Sequence, residues 1–283
     1  MAAAASAVLL RRRLGQQLLA LRRRAGLTGK DAGETVDRSG SWISRVEAGR
    51  VSIRPLELRV LLDSYGFTDA AGRRELERLA REGQRRDWWS KYSDVITDSY
   101  ATLIGLEVEA TSLLTYENAV VPGLLQTADY SRAIFMQSVP LVPADHIERR
   151  IEVRLKRQEL LGKADAPDLQ IVLDEAVLHR SIGGTVVFAG QMDRLLQETQ
   201  RERISLRLLP FAHSERTVLA TAFTIMTFAE DPDIVYVEMA TGGVYEDDRE
   251  TPAYRQIFEQ LHSVALDEAA TVAAIQQALE RAR

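Results

Sequence analysis

Four histidines, no cysteine and 41 acidic side chains are the groups with which this 283-residue chain could do chemistry. His146, His179, His213 and His262 are scattered, and no two have the spacing that sets a pair of metal ligands on one helix face. The absence of cysteine excludes disulfides and thiolate metal sites, and is compatible with a reducing compartment. Gly183-Gly184 lacks the Gly, Lys and Ser/Thr that must follow in a phosphate-binding loop, and no nucleophile elbow occurs. Asp174-Glu175 is a carboxylate pair, but neighbours on a helix do not face each other, so it is a poor acid–base couple. No catalytic residue, metal or cofactor is expected, and an enzyme is the least favoured reading.

The informative spacing runs from Leu27 to Arg50. Thr28 can cap a short helix, and Asp37-Arg38-Ser39 makes a polar turn into a second helix from Gly40 to Ala48, stopped by Gly49. Two helices crossing steeply need a small residue where they touch, and Gly33 provides it. The turn needs a residue that tolerates positive φ, a place Asp37 can fill. Ala32, Val36, Ile43 and Val46 supply apolar contacts between the pair. Ser39 caps the second helix and leaves its N-terminus free to face a DNA groove.

In this stretch the sequence resembles the lambda-repressor-like (xenobiotic-response-element type) helix-turn-helix regulators. The resemblance implies base-reading positions at Gly40, Ser41 and Arg45, and backbone-contacting positions at Gly29, Ser39, Trp42 and Arg50. It also implies a structural ion pair, Arg22 with Glu47, tying the first helix to the end of the recognition helix. Gly29 departs from the polar residue usual at its position, and Gly40 has no side chain with which to read a base. Direct readout therefore falls to Ser41 and Arg45. Trp42 either covers sugars and thymine methyls or packs partly into the core.

These motifs need elements to position them. Leu14, Leu18, Leu21 and Ala25 form a helical stripe over 8–25, ended by Gly26; two further helices follow, Leu56–Tyr65 and one from Asp69 to about Arg85. That makes five short helices in residues 1–86. Residues 1–86 hold 18 Lys+Arg against 10 Asp+Glu, a balance of +8, which leaves −13 for residues 87–283. A basic front and an acidic remainder suit one domain that meets phosphates and another that must not, although uneven surface charge alone would give the same split. Asp87-Trp88-Trp89-Ser90-Lys91-Tyr92 marks the junction, where Trp88 and Trp89 are expected to dock the two halves together.

Beyond the junction, helices are expected over Ser99–Glu107, Ala128–Gln137, Ala144–Leu161, Thr185–Thr199, Tyr254–Val264 and Asp267–Ala282. Strands are expected over Thr111–Tyr116, Leu169–Leu173, Ile204–Leu209, Phe223–Phe228 and Ile234–Met239, the last two antiparallel. The fold class is thus multi-domain, an N-terminal all-α five-helix domain (1–86) and a C-terminal mixed α/β (α+β) domain (87–283). No apolar run approaches the ~18–20 residues of a membrane span. Arg11-Arg12-Arg13 follow the opening alanines rather than precede them, unlike a secretory signal; Met1–Ala5 reads as a frayed lead-in to the first helix. A cytoplasmic location is expected.

Trp88-Trp89-Ser90-Lys91-Tyr92-Ser93-Asp94, Leu106-Glu107-Val108-Glu109-Ala110-Thr111, Tyr116-Glu117 and Val121-Pro122-Gly123-Leu124-Leu125-Gln126-Thr127-Ala128-Asp129-Tyr130 carry a second resemblance. Asp174-Glu175-Ala176-Val177-Leu178-His179-Arg180, Leu208-Leu209-Pro210-Phe211 and Val235-Tyr236-Val237-Glu238 extend it. Together they are similar to a large actinobacterial regulator family with an uncharacterised C-terminal domain, antitoxin-like and often encoded beside a small partner protein. The resemblance implies a transcriptional regulator whose C-terminal domain binds a protein partner. The alternative is a one-component sensor binding a small molecule there. The expected DNA partner is a double-stranded operator, bound by a homodimer whose interface candidates are the helix Ala144–Leu161 and the C-terminal helices.

Overall fold

The computed structural model describes residues 6–85, 87–137, 143–212, 221–239, 242–246 and 250–283. His213 and the Met1–Ala5 lead-in lie outside them. Two compact units form, one from Met1–Ser93 with Ala101–Glu109 and the other from Asp94–Tyr100 with Ala110–Arg283.

The first unit begins with helices α1 (Ala7–Arg24), α2 (Gly29–Thr35), α3 (Gly40–Glu47), α4 (Pro55–Ser64) and α5 (Ala70–Glu82). Each boundary has a local cause. Ser6, Thr28, Ser39 and Asp69 accept from free backbone N–H groups at their helix starts, donors that would otherwise go unsatisfied. Thr28 and Asp31 cap reciprocally: Asp31 N donates to Thr28 Oγ1 (3.2 Å) and Thr28 N to Asp31 Oδ2 (2.8 Å). Pro55 occupies the first turn of α4, where its missing N–H costs nothing. Leu14, Leu18, Ile43, Val46, Leu58 and Leu62 are among the side chains that close the core.

A 3-10 helix (Trp88–Tyr92) and residues 101–107 of α6 (Asp98–Glu107) complete this unit. Trp89 is buried and meets Trp88 edge-on at 5.5 Å. A Cβ on Gly105 would lie 3.2 Å from Trp89 and 2.4 Å from Val8, so glycine is what lets α6 approach. Trp89 serves the first unit's own packing, because a segment distant in sequence, residues 101–109, belongs to that unit.

The second unit is built on a six-stranded mixed sheet of order β3-β2-β1-β4-β5-β6. Its strands are β1 (Ser112–Glu117), β2 (Asp168–Asp174), β3 (Ile204–Leu209), β4 (Phe223–Thr227), β5 (Ile234–Val237) and β6 (Val244–Glu246). β1, β2 and β3 run parallel, while β4, β5 and β6 continue antiparallel from β1. Between β1 and β2 come α7 (Ala128–Gln137) and α8 (Ala144–Gln158); α9 (Thr185–Glu198) joins β2 to β3. Helices α10 (Thr251–Val264) and α11 (Glu268–Ala282) close the chain. From α10, Phe258 and Leu261 pack onto Leu114, Tyr116, Phe223 and Ile225, one face of the sheet under the two-residue alternation of a strand. An α-helical domain followed by a mixed α/β domain is the fold.

Two local expectations change, and one strand was not expected. Asp174-Glu175 is not on an α-helix: Asp174 ends β2 and caps a 3-10 turn (Glu175–His179) by accepting from Ala176 N at 2.8 Å. The helix from Ala144 gives way after Gln158 to a 3-10 turn, Glu159–Gly162. Strand β6, three residues beside Gly242-Gly243, is too short to leave a period in the sequence.

Candidate nucleic-acid interface

The turn between α2 and α3 is fixed by backbone geometry before any side chain matters. Asp37 adopts φ +55°, the left-handed region that a short polar side chain tolerates. A Cβ on Gly33 would stand 2.4 Å from the Arg38 carbonyl oxygen, so only glycine permits that approach. The two helices also meet at a second place. Gly40 lies against the first turn of α2, where a Cβ would come within 3.1 Å of Lys30 N; one on Gly29 would be 3.5 Å from the Gly40 carbonyl oxygen. Gly29 and Gly40 thus share a contact that brings α2 and α3 together.

Helix α3 then divides cleanly. Ile43, Val46 and Glu47 are buried, whereas Ser41, Ser44, Arg45 and Ala48 are exposed. Ser39 Oγ accepts from Trp42 N (3.2 Å) and lies 2.8 Å from Ser41 Oγ. Ser44, three residues after Ser41 on the same face, had no place in the sequence reading; it donates to the Gly40 carbonyl at 3.1 Å. Neither the Arg45 nor the Arg50 guanidinium makes a hydrogen bond or ion pair among the described residues, and both are exposed.

Trp42 is half-buried and packs on the first unit's core. Arg38 lies over its ring at 5.2 Å and donates twice to Glu57 Oε1, at 3.1 and 2.7 Å. Glu57 in turn accepts from Arg54 N at the start of α4. Sequence reasoning missed this Arg38–Glu57 link because the partners are 19 residues apart and follow no local spacing rule.

Behind the exposed face, Arg22 of α1 meets Glu47 of α3 in a two-pronged ion pair, Nε–Oε1 2.6 Å and Nη2–Oε2 2.8 Å. Its third nitrogen donates to the Leu27 carbonyl at 2.8 Å. The two side chains keep 13% and 7% of their surface. The Tyr65 hydroxyl, buried beside them without a hydrogen-bond partner among the described residues, has its pKa pushed up to about 12 by burial and by the Glu47 charge.

In the second unit, His146 lies on α8, His179 ends its 3-10 turn and His262 lies on α10. No group of three metal-ligating side chains forms among the described residues. No helix among them is long and apolar enough to cross a membrane.

A helix presenting a capped N-terminus, a polar outer face and unengaged arginines, braced by a second short helix, defines a DNA-binding regulator. Residues 13–76 match a helix-turn-helix domain family, and residues 100–277 match a domain of unknown function (DUF5753). The second match covers well over half of the chain, and the chain belongs to that family. No curated protein and no solved structure matches it.

Proposed function

We propose that the chain is a cytoplasmic, sequence-specific transcriptional regulator of the lambda-repressor-like type that binds its operator as a homodimer. DNA contact is assigned to residues 1–86, with the remaining 87–283 as the effector domain. Ser41 and Arg45 read base edges in the major groove, with the Gly40 position beside them. Gly29, Ser39, Trp42 and Arg50 meet the sugar–phosphate backbone. Two copies would set their recognition helices about 34 Å apart, matching half-sites one helical turn apart. The effector domain receives a small protein partner encoded nearby, as in an antitoxin-like regulator of the actinobacterial type. A small-molecule sensor is the second reading, favoured by unpaired buried charges in the second unit.

The observation that carries the DNA reading is Arg45, exposed on the outer face of α3 with its guanidinium unengaged among the described residues. An arginine so placed can donate two hydrogen bonds to guanine O6 and N7, worth about 1–3 kcal/mol of discrimination. Arg45→Ala should therefore lower operator affinity about 5- to 150-fold at fixed salt and relax one base pair per half-site. Arg50→Ala should weaken all sequences alike and flatten the salt dependence. Binding-site selection with randomised duplexes, run at two salt concentrations, separates the two. Unchanged base preference in Arg45→Ala would refute the assignment.

A further inference from the structure

Tyr116-Glu117 and Val235-Tyr236-Val237-Glu238 are far apart in sequence, yet in the second unit they come to the same end of the sheet, where the run Val121–Thr127 follows β1. Strands β1 and β5 both run antiparallel to β4, and Tyr116 and Val237 both pair with Phe223. Glu117 and Glu238 each stand one residue beyond that row, on the same face by alternation. This is also where strand order reverses, since β1 has β2 and β3 on one side and β4 on the other.

Helix α8 brings the opposite charge. A Cβ on Gly123 would lie 3.2 Å from Arg157 Nη1 and 3.6 Å from Arg154 Nε, so the Pro122-Gly123 turn seats both guanidiniums. Arg157 donates to the Tyr100 hydroxyl at 2.9 Å. Arg154 is 9% exposed; its Nη1 donates to Gln126 Oε1 and its guanidinium lies 4.6 Å over the Phe135 ring. Its buried Nε has no partner among the described residues. Glu117, also 9% exposed, makes no hydrogen bond or ion pair among them. Burial and the nearby Glu238 push its carboxyl well above the ordinary range, against the opposing pull of Arg154 and Arg157.

Buried opposite charges normally close into an ion pair, because their attraction is what offsets desolvation. Here they influence each other and stay apart. A molecule bearing both an ammonium and an anionic group would give the Glu117 carboxyl and the Arg154 Nε the partners they lack, Arg154 being otherwise engaged by Gln126 and Tyr100. We propose that Glu117, Glu238 and Arg154 bind a small zwitterion, its ammonium between the two carboxylates and its carboxylate on Arg154 Nε. The proposal rests on the small-molecule reading of the effector domain and is independent of the DNA contacts.

The test titrates the full-length protein by calorimetry with glycine, 3-aminopropanoate and 4-aminobutanoate, zwitterions of growing charge separation. Each is compared with its methyl ester and its N-acetyl form, which remove one charge at a time. At least one zwitterion should bind, and both of its capped forms should bind about tenfold more weakly or worse. Glu117→Gln should lose about tenfold or more in affinity, and Glu238→Gln less. Melting curves without ligand establish that each variant is folded. Should Glu117→Gln fail to fold, Arg154→Lys, which keeps the charge and removes Nε, takes its place with the same expected loss. The proposal is overturned if no zwitterion binds at millimolar concentration, if the capped forms bind as tightly, or if the folded variant binds like the parent. DNA affinity measured on the same preparations keeps the two readings apart, since its loss alone counts only against the DNA assignment.

Discussion

Arg22 with Glu47 in the first unit, and Arg154 with Glu117 in the second, are buried charges handled in opposite ways. The first pair is closed: two prongs join the side chains, and the remaining arginine nitrogen reaches a backbone carbonyl. The second is open, each member nine-tenths buried and neither touching the other. A closed pair fixes α1 against the end of α3 and so holds that helix in place on the core. The unengaged charges of that unit, Arg45 and Arg50, stand on its surface, as suits a large external polyanion. In the second unit Glu117 and Arg154 lie inside, while Glu238 is exposed.

Breaking the closed pair should produce the largest effect. Glu47→Ala strands the Arg22 guanidinium beside the Tyr65 hydroxyl, and removing one member of a buried pair typically costs about 3–5 kcal/mol. Urea unfolding followed by helical circular dichroism measures it. The double variant Arg22→Met/Glu47→Leu should recover most of that loss, because a well-packed apolar pair of similar volume is often as stable as an ion pair. A loss under about 1 kcal/mol for Glu47→Ala would place the pair with surface salt bridges instead.

Legibility in the sequence follows the range of the interactions. The five N-terminal helices and their stops could be read because caps, glycines and apolar stripes act within one or two turns: Thr28, Ser39 and Gly49 sit where local rules put them. The strands were legible as apolar runs, and the antiparallel pairing of β4 with β5 as two runs flanking a Pro-containing turn. Tertiary relations were not. Nothing local reveals that Gly40 meets Lys30 across the motif, that residues 101–109 join the first unit, or that Arg38 reaches Glu57. Glu117, Arg154 and Glu238 came into view only as members of longer motifs or not at all. Their neighbourhood depends on sheet order and on the seating of α8 against the Pro122-Gly123 turn.

A smaller effect, with a definite sign, distinguishes the open pair. The folded chain holds the Glu117 proton more tightly than the unfolded chain, because burial and Glu238 outweigh Arg154 and Arg157. Its contribution to stability is fully present below the ordinary carboxyl pKa of about 4.5 and is lost as pH rises through the raised folded value. Glu117→Gln cannot ionise and lacks that loss. The variant should therefore gain on the parent as pH increases from about 4.5 upward, read as the difference between their melting temperatures across a pH series. Parallel profiles would show that the Glu117 carboxyl is solvated like a surface group.

The smallest effect asks whether the open pair merely reflects a loosely finished second unit. Gly190 lies inside α9, exposed, with nothing within 4 Å of where a Cβ would stand. Its φ is not in the positive range, so alanine fits the backbone it already has. Glycine inside a helix costs about 0.5–1 kcal/mol relative to alanine through the extra freedom it loses on folding. Gly190→Ala should therefore raise stability by that amount while leaving zwitterion and DNA affinities unchanged, measured by urea unfolding and calorimetry. The gain would come from the unfolded chain and from helix propensity, with no contact made or lost in the folded one. If Gly190→Ala instead changed ligand affinity, the packing of α9 would be coupled to the Glu117 cluster, and the open charges would have to be read as part of a larger adjustable region. An unchanged affinity would confine the unsatisfied charge to Glu117, Glu238 and Arg154, where a bound zwitterion would complete it.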